Sequence, residues 1–237
     1  MNIIPVIDIR DGIVVHARGG ERANYQPLKS LLTQSVKLEQ VIDDLLAWYP
    51  FKQLYIADLD AIEQKQHTPQ QYQHLIDTFP QLSLWLDAGI TEMSAYSYYP
   101  MSPQLRLVLG SETLTDLQLL KAPHVRQQSI LSLDKKSGSI LGSEEIAKEP
   151  AYWTQTCIAM SLDNVGTDKG PDFDWLKSLM KEQECVKWYA AGGVRDEADL
   201  SQLAQIGATG VLVASALHTG KLGRSTIERL SRDITLP

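Results

Sequence analysis

The stretch Ile7-Asp8-Ile9-Arg10-Asp11-Gly12 decides the fold, because it returns in the second half of the chain as Leu133-Asp134-Lys135-Lys136-Ser137-Gly138. Each copy is an apolar run that reaches an aspartate and continues into a polar stretch with a glycine. Short matches recur by chance, but four matches in register indicate a duplicated half-domain. The other three pairs are Ile56-Ala57 with Ile158-Ala159, Gly89-Ile90-Thr91 with Gly193-Val194-Arg195, and Gly110-Ser111 with Ala214-Ser215.

Eight short apolar runs are predicted as β-strands. Most of them are continuous rather than alternating, which is typical of parallel strands that helices cover on both faces. The predicted strands are Ile3–Ile9, Gln53–Ala57, Leu82–Leu86, Leu105–Leu109, Ser129–Leu133, Thr156–Leu162, Val186–Ala190 and Gly210–Ala214.

The segments between these strands have helical spacing. An apolar stripe runs along residues 38–46, and the acidic residues of 196–200 favour a helix that begins there. Helices four and five, at about Leu114–Leu120 and Glu144–Ala147, are predicted to be short.

A strand followed by a helix eight times over predicts an α/β fold with a parallel sheet. An open doubly wound sheet is the rival architecture. A duplicated unit of four strands and four helices closes naturally into a barrel, so the repeat favours a (β/α)8 TIM barrel with a half-barrel internal repeat. The 237 residues fit the roughly 250 that such a barrel takes, and no linker divides the chain, so we expect one domain over residues 1–237.

The composition excludes several classes of function. A net charge of −7 argues against nucleic-acid binding, which needs a basic surface, but it does not exclude an anionic small ligand. The two cysteines, Cys157 and Cys185, form neither a disulfide framework nor a zinc set. The N-terminal apolar run is too short for a signal peptide or a membrane span. We expect a cytoplasmic monomer or small homo-oligomer without a metal ion.

Asp8 and Asp134 are the candidate catalytic residues. In a barrel the site lies on the loops that follow the strands, and these two aspartates occupy equivalent positions on strands one and five. A carboxylate that ends an apolar strand is costly unless it is solvated, hydrogen-bonded or used in the reaction. A pair at the barrel mouth suits general acid and base chemistry. The alternative is that each aspartate only caps its loop.

Small residues after strands seven and eight predict a phosphate site. Glycines allow close approach of the backbone, and exposed N–H groups at the start of a short helix hold phosphate. The alternative is a tight turn that needs small residues. The predicted phosphate-binding residues are Gly192, Gly193, Ala214 and Ser215, together with their half-barrel equivalents Gly89, Gly110 and Ser111. At that second position Asp87 adds a negative charge.

A long segment, from Arg10 to about Ser35, follows the first strand. Its glycines and mixed charges suit a flap over an anionic ligand, with Arg18 and Arg22 as substrate-site candidates. A solvated loop is the alternative. His16 has no ligand-like spacing and is interpreted as an ordinary surface or strand-end histidine.

Four stretches together resemble the histidine-biosynthesis barrels, which include the ribotide isomerase and the cyclase subunit of imidazole glycerol phosphate synthase. The resemblance covers nearly the whole chain. It implies a ribotide substrate with a phosphate at each end, an Amadori rearrangement with Asp8 and Asp134 as acid and base, and no metal or redox cofactor. The stretches are Ile3-Ile4-Pro5-Val6-Ile7-Asp8, Tyr55-Ile56-Ala57-Asp58-Leu59-Asp60-Ala61, Ala191-Gly192-Gly193-Val194 and Gly210-Val211-Leu212-Val213-Ala214-Ser215-Ala216-Leu217.

The chain departs from that family at two places. After strand three the family's isomerase carries three glycines and an arginine, where this chain has Asp87-Ala88-Gly89-Ile90-Thr91. Near strand six, Met160 stands where the family has a threonine, and Val165 where it has the aspartate of an Asp-Gly-Thr turn. One phosphate-binding loop and some of the acid–base residues therefore differ from those of the family. Asp58, Asp163 and Thr167 are further substrate-site candidates.

The segment of residues 20–30 resembles a divergent, isomerase-like branch found in archaea and methylotrophic bacteria. The sequence predicts a phosphosugar or ribotide isomerase-like enzyme that performs an aldose–ketose isomerisation of a phosphorylated substrate. The resemblance to the branch implies an alternative, a barrel enzyme of methanofuran or tetrahydromethanopterin synthesis that acts on a phosphorylated precursor. A non-catalytic barrel that binds a phosphorylated metabolite or a partner protein is the third possibility.

Overall fold

Eight parallel strands close into a barrel in the structure, a computed structural model that describes residues 1–232. The last strand pairs with the first, with Asn2 opposite Gly210 and Pro5 opposite Val213. The predicted (β/α)8 barrel is therefore confirmed, and the open sheet is excluded. Each strand coincides with a predicted one, with small differences at the ends. They are β1 (Asn2–Arg10), β2 (Gln53–Asp58), β3 (Ser83–Asp87), β4 (Leu105–Gly110), β5 (Ile130–Lys136), β6 (Thr156–Ser161), β7 (Lys187–Ala191) and β8 (Gly210–Val213).

Helices follow the strands, and none within residues 1–232 is long and apolar enough to cross a membrane. The α-helices are α1 (Leu38–Trp48), α2 (Leu59–Gln64), α3 (Pro69–Thr78), α4 (Met93–Tyr96), α5 (Pro123–Gln128), α6 (Glu144–Lys148), α7 (Phe173–Glu182), α8 (Glu197–Gln205), α9 (Ser215–His218) and α10 (Arg224–Arg232). Four 3-10 helices are Arg22–Asn24, Leu117–Lys121, Pro150–Tyr152 and Leu162–Asn164.

The prediction for helix four was wrong in type. Its segment forms the 3-10 helix Leu117–Lys121, and an α-helix begins only at Pro123. Proline has no N–H and cannot continue a helix from the residues before it, so it begins a new one.

Both half-barrels begin with the same arrangement of a strand, a tight turn and a short antiparallel strand. Strands β1 and β5 each pass through a tight turn into a short antiparallel strand, Ile13–His16 in the first half and Ser139–Ile140 in the second. Asp11 and Ser137, at equivalent places in the two turns, both have φ of 51°. The repeat that decided the fold is therefore visible in the backbone.

The core has two parts. One lies between the strands and the helices. The other fills the barrel, where Tyr55, Trp85 and Tyr189 are almost fully buried and the rings of Trp85 and Tyr189 meet edge to face at 4.8 Å. The barrel interior is therefore packed and not a pore, as in other barrels of this kind. Every strand contributes an inward residue to this second part of the core: Ile4, Tyr55, Trp85, Val108, Ile130, Ile158, Tyr189 and Leu212.

Candidate active site

A cavity of about 240 Å³ opens at the carboxyl ends of the strands, and all eight strands or their following loops contribute to its wall. Six of the predicted site residues outside the acid–base pair line it: Gly192, Gly193, Ala214, Ser215, Arg22 and Thr167. Asp8 and Asp134 line it too, so strands one and five bring the two candidate catalytic carboxyl groups into one cavity.

The Asp8 carboxyl group is free to meet a ligand. It forms no hydrogen bond and no ion pair within residues 1–232, and its side chain is partly buried in the cavity wall. Burial raises the pKa of Asp8 to about 7, an effect that Arg22 opposes and that the nearby Asp87 reinforces. Asp8 can therefore be protonated or ionised near neutral pH.

The Asp134 carboxyl group is held in position by donors from β5 and from the loop after β4. It accepts hydrogen bonds from the Ser132 hydroxyl at 2.6 Å, from the Glu112 N–H at 3.2 Å and from the Ser111 hydroxyl at 3.4 Å. Burial, together with the charge of Asp87, raises the pKa of Asp134 to about 7, although the hydrogen bonds oppose the shift. The group is oriented and can exchange a proton near neutral pH.

A third carboxyl group, from Asp87 at the end of β3, also lines the cavity. It accepts hydrogen bonds from the Tyr55 hydroxyl and from the Gly89 N–H, both at 3.2 Å. Burial raises the pKa of Asp87 to about 6. Sequence reasoning noted Asp87 only as a charge that opposes phosphate binding, and it missed Tyr55 and the neighbouring Glu112. No metal-binding group of three or more His, Cys, Asp or Glu side chains occurs within residues 1–232.

The β7–β8 side of the cavity carries backbone N–H groups. Those of Gly193, Ser215 and Ala216 donate no hydrogen bond within residues 1–232, and all three residues line the cavity. Gly193 has φ of 89°, and a Cβ there would lie 2.2 Å from the Gly170 carbonyl oxygen, so only glycine brings its N–H to this place. Such N–H groups are suited to hold an anion.

His16 joins this side of the cavity. Its Nε2 lies 3.0 Å from the Ser215 hydroxyl, and burial lowers the pKa of His16, with the charge of Arg18 adding to the effect. The interpretation of His16 as an ordinary strand-end residue missed this position. Only the antiparallel pairing of Ile13–His16 with β1 carries the side chain to the mouth, and its spacing in the sequence gives no sign of that.

The long segment after β1 crosses the mouth of the cavity. The Gly19 N–H donates to the Val165 carbonyl at 2.6 Å, on the loop after β6. Arg22 donates to Glu112 on the loop after β4 and itself lines the cavity, as does Tyr25. Residues 17–25, which we name the strap, therefore form part of the cavity wall.

Six predicted site residues lie outside the cavity wall: Gly89, Gly110, Ser111, Arg18, Asp58 and Asp163. The Asp58 carboxylate caps α2 by accepting from the Ala61 N–H at 3.0 Å, and it also accepts from the Tyr72 hydroxyl at 2.6 Å. Asp163 accepts from the Ser137 N–H at 2.6 Å, in the turn after β5. These hydrogen bonds give both carboxylates a structural role. Their roles in substrate binding stay predictions.

Comparisons with known proteins agree on one family. The sequence matches the model of a family described as histidine biosynthesis protein over residues 2–223. An uncharacterized protein of Methanocaldococcus jannaschii is 28% identical, over 94% of this chain and 95% of that protein. A Listeria innocua protein is 25% identical over 96% of this chain and 97% of its own length, and a Caldanaerobacter subterraneus protein is 26% identical over 94% of both. Both bacterial proteins are named 1-(5-phosphoribosyl)-5-((5-phosphoribosylamino)methylideneamino) imidazole-4-carboxamide isomerase.

Proposed function

Because the chain belongs to the histidine biosynthesis protein family, we propose that it is an aldose–ketose isomerase of a phosphorylated sugar or ribotide. One observation carries the proposal: the carboxyl groups of Asp8 and Asp134 line the same cavity, and both have a pKa near 7. Two such groups can give and take protons at neutral pH, as this rearrangement requires.

The surroundings of the two carboxyl groups support a division of roles between them. Asp134 accepts three hydrogen bonds, and donors of this kind favour the ionised form, so Asp134 is the base that removes the proton from C2. Asp8 has no such donors and is the acid that protonates the ring oxygen when the sugar opens. The proton that Asp134 takes then goes to C1, and the Asp8 carboxylate takes the proton of the C2 hydroxyl as the ketone forms. Both groups thus return to their starting states, and the reaction needs no external oxidant.

The phosphate group anchors the substrate on the β7–β8 side. The N–H groups of Gly193, Ser215 and Ala216 are unpaired there, and the Ser215 hydroxyl can donate to a phosphate oxygen while His16 Nε2 accepts or donates beside it. The strap covers the bound sugar, which excludes water from the acid–base pair.

Turnover of a panel of phosphorylated aldoses, among them the substrate named for the bacterial relatives, tests the proposal. We expect Asp8→Asn and Asp134→Asn each to lower kcat by about 10² to 10⁴-fold, the usual size of a general acid or base effect. Asp43→Asn, at an exposed position on α1, is the matched control and should leave kcat unchanged. Full activity of Asp8→Asn would contradict the mechanism.

The residues that line the cavity near β6 favour a second candidate function. Met160 and Val165 both line the cavity, at the places where the histidine-pathway isomerase has a threonine and an aspartate. An enzyme of one-carbon cofactor synthesis, acting on a phosphorylated precursor, would use the same acid–base pair on another substrate. Growth of a histidine auxotroph that expresses this chain would support the histidine-pathway reaction. Failure to grow, with phosphate binding retained, would support the second candidate.

A non-catalytic barrel would bind phosphate without turning over any substrate. Substituting Asp8 would then change ligand affinity alone, since no reaction would depend on the proton. A cytoplasmic location, and a monomer or small homo-oligomer, stay predictions for either enzyme.

A further inference from the structure

We propose that this cavity selects a substrate with one phosphate group, and that its β3–β4 side excludes a second. The inference rests on the proposed function, since it takes the β7–β8 side as the phosphate anchor. Strands β3 and β4 lie half a turn of the barrel from β7 and β8. A substrate anchored by its phosphate at one side therefore extends its other end toward β3 and β4.

Three N–H groups at the β3–β4 side, at the places equivalent to the phosphate loops of β7 and β8, are already used by the chain itself. The Gly89 N–H donates to Asp87 Oδ1 at 3.2 Å, and the Glu112 N–H donates to Asp134 Oδ2, also at 3.2 Å. The Ser111 N–H donates to the Ser132 carbonyl at 2.8 Å. Two carboxylates of the protein thus accept the hydrogen bonds that a phosphate would need. The equivalent loops at β7 and β8 have unpaired N–H groups.

The cation nearest to this side is neutralised. Arg22 donates to both oxygens of the Glu112 carboxylate, at 3.0 and 2.6 Å, and its Nη1 lies 4.0 Å from Glu63. This bidentate pair uses two of the guanidinium N–H donors, and the neighbouring carboxylates offset its charge, so Arg22 attracts an added anion less than an unpaired arginine would. Lys221, the other Lys or Arg among the cavity-lining residues, is paired with Asp168 at 2.6 Å and follows α9, on the phosphate side.

Carboxyl groups dominate the remaining surface. Asp87 and Asp134 converge near Gly110, where a Cβ would lie 3.1 Å from Asp134 Oδ2 and 3.7 Å from Asp87 Oδ2, and Glu112 also lines the cavity. A phosphate brought here would meet like charges in a partly buried place, where charge repulsion is strong. A hydroxyl or an ammonium group would instead donate hydrogen bonds to these oxygens. The far end of the substrate is therefore uncharged or cationic.

Binding of a matched series of sugars tests this selection. Calorimetry would compare glucose 6-phosphate, methyl glucoside 6-phosphate and glucose 1,6-bisphosphate, with inorganic phosphate as the probe of the anchor. We expect the bisphosphate to bind at least about tenfold more weakly than glucose 6-phosphate, because like-charge juxtaposition is costly. The methyl glucoside has a neutral substituent at the same carbon and should lose much less affinity.

Two variants should bind the bisphosphate more tightly than the parent protein does. Glu112→Gln removes one carboxylate and frees Arg22, so it should raise affinity for the bisphosphate relative to the monophosphate by about fivefold or more, as removal of one unfavourable charge contact predicts. Glu63→Gln, on the other side of Arg22, should raise the ratio of bisphosphate to monophosphate affinity by a smaller factor. This variant tests the proposal if Glu112→Gln fails to fold. The exposed Glu184→Gln is the control and should leave the ratio unchanged.

The outcomes separate the two proposals. If the bisphosphate binds as tightly as glucose 6-phosphate or more tightly, the proposed selection is wrong. The same holds if the methyl glucoside loses as much affinity as the bisphosphate does. The proposed function stands in both cases. If neither inorganic phosphate nor any sugar phosphate binds, the phosphate anchor itself is wrong, and both proposals fail.

Discussion

Arg22 and Glu112 form a bidentate ion pair that ties the strap to the loop after β4, with nitrogen–oxygen distances of 3.0 and 2.6 Å. The two side chains are 20% and 30% exposed, so solvent screens the pair less than it screens an open surface pair. The other end of the strap is held by the Gly19 N–H on the Val165 carbonyl. Lys136 Nζ also donates to the Gly20 carbonyl at 3.1 Å, so opening of the cavity mouth requires several of these contacts to break.

Substitution of Arg22 by Ala should release the strap. The loss leaves Glu112 without its cation, and we expect residues 17–25 to exchange their amide hydrogens several-fold faster, while the free energy of unfolding falls by about 1 to 2 kcal/mol. Hydrogen–deuterium exchange and urea unfolding measure the two effects. Lys148→Ala, which removes an ion pair whose partners are more than 70% exposed, is the control and should do neither.

Asp8→Asn should stabilise the protein above pH 7. The pKa of Asp8 rises from 3.8 to about 7 on folding, so the folded state binds the proton more tightly and stability falls as pH rises from about 4 to 7. Asparagine cannot ionise and avoids this loss. We expect the melting temperature of the variant to exceed that of the parent at pH 8 and to match it near pH 4. A lower melting temperature at pH 8 would show that the carboxylate is not desolvated.

The sequence was sufficient to place Asp8 and Asp134 at the barrel mouth, near the ends of β1 and β5, but not to include Asp87 at the end of β3 in the site. Asp8 and Asp134 stand out because a carboxylate interrupts an apolar run at the same place in two repeats. Tyr55 lies inside such a run, and barrel strands are apolar on both faces, so only the register of β2 against its neighbours shows that Tyr55 faces the interior.

Contacts between distant loops were beyond sequence reasoning for a different reason. The flap hypothesis placed Arg22 near an anionic ligand, but the partner of Arg22 within the chain is Glu112, 90 residues away. No local pattern encodes that pairing, because it arises only when the barrel closes and brings the loops after β1 and β4 together. The same holds for His16 and Ser215.

The pH profile of turnover should be a narrow bell centred near pH 7. The reaction needs Asp8 protonated and Asp134 ionised, and both groups have a pKa of about 7. Below this value Asp134 gains a proton, and above it Asp8 loses one, so kcat/KM, which reports the free enzyme, should fall about tenfold per pH unit on either side. Measurements of kcat/KM from pH 5 to 9 at low substrate concentration would show the shape. A plateau that extends to pH 9 would contradict the role of Asp8 as the acid.

His16→Ala should weaken binding of the phosphate more than it slows the reaction. The imidazole orients the Ser215 hydroxyl at 3.0 Å and does not touch the acid–base pair. We expect KM to rise by about fivefold, the effect of one hydrogen bond, with kcat within twofold. His74→Ala, at an exposed position on α3, is the control. A large fall in kcat with unchanged KM would instead give His16 a part in proton transfer.

Gly89→Ala should destabilise the barrel far more than Gly12→Ala, although both glycines have positive φ, of 61° and 73°. The backbone strain is similar at the two sites, about 1 kcal/mol in each case. At Gly89 an added Cβ would lie 2.6 Å from the Cα of Ile62, whereas nothing lies within 4 Å of one at Gly12. Overpacking therefore adds about 1 to 3 kcal/mol to the loss at Gly89 alone. Urea unfolding of the two variants measures the difference, and equal losses would show that Ile62 and α2 shift at no cost.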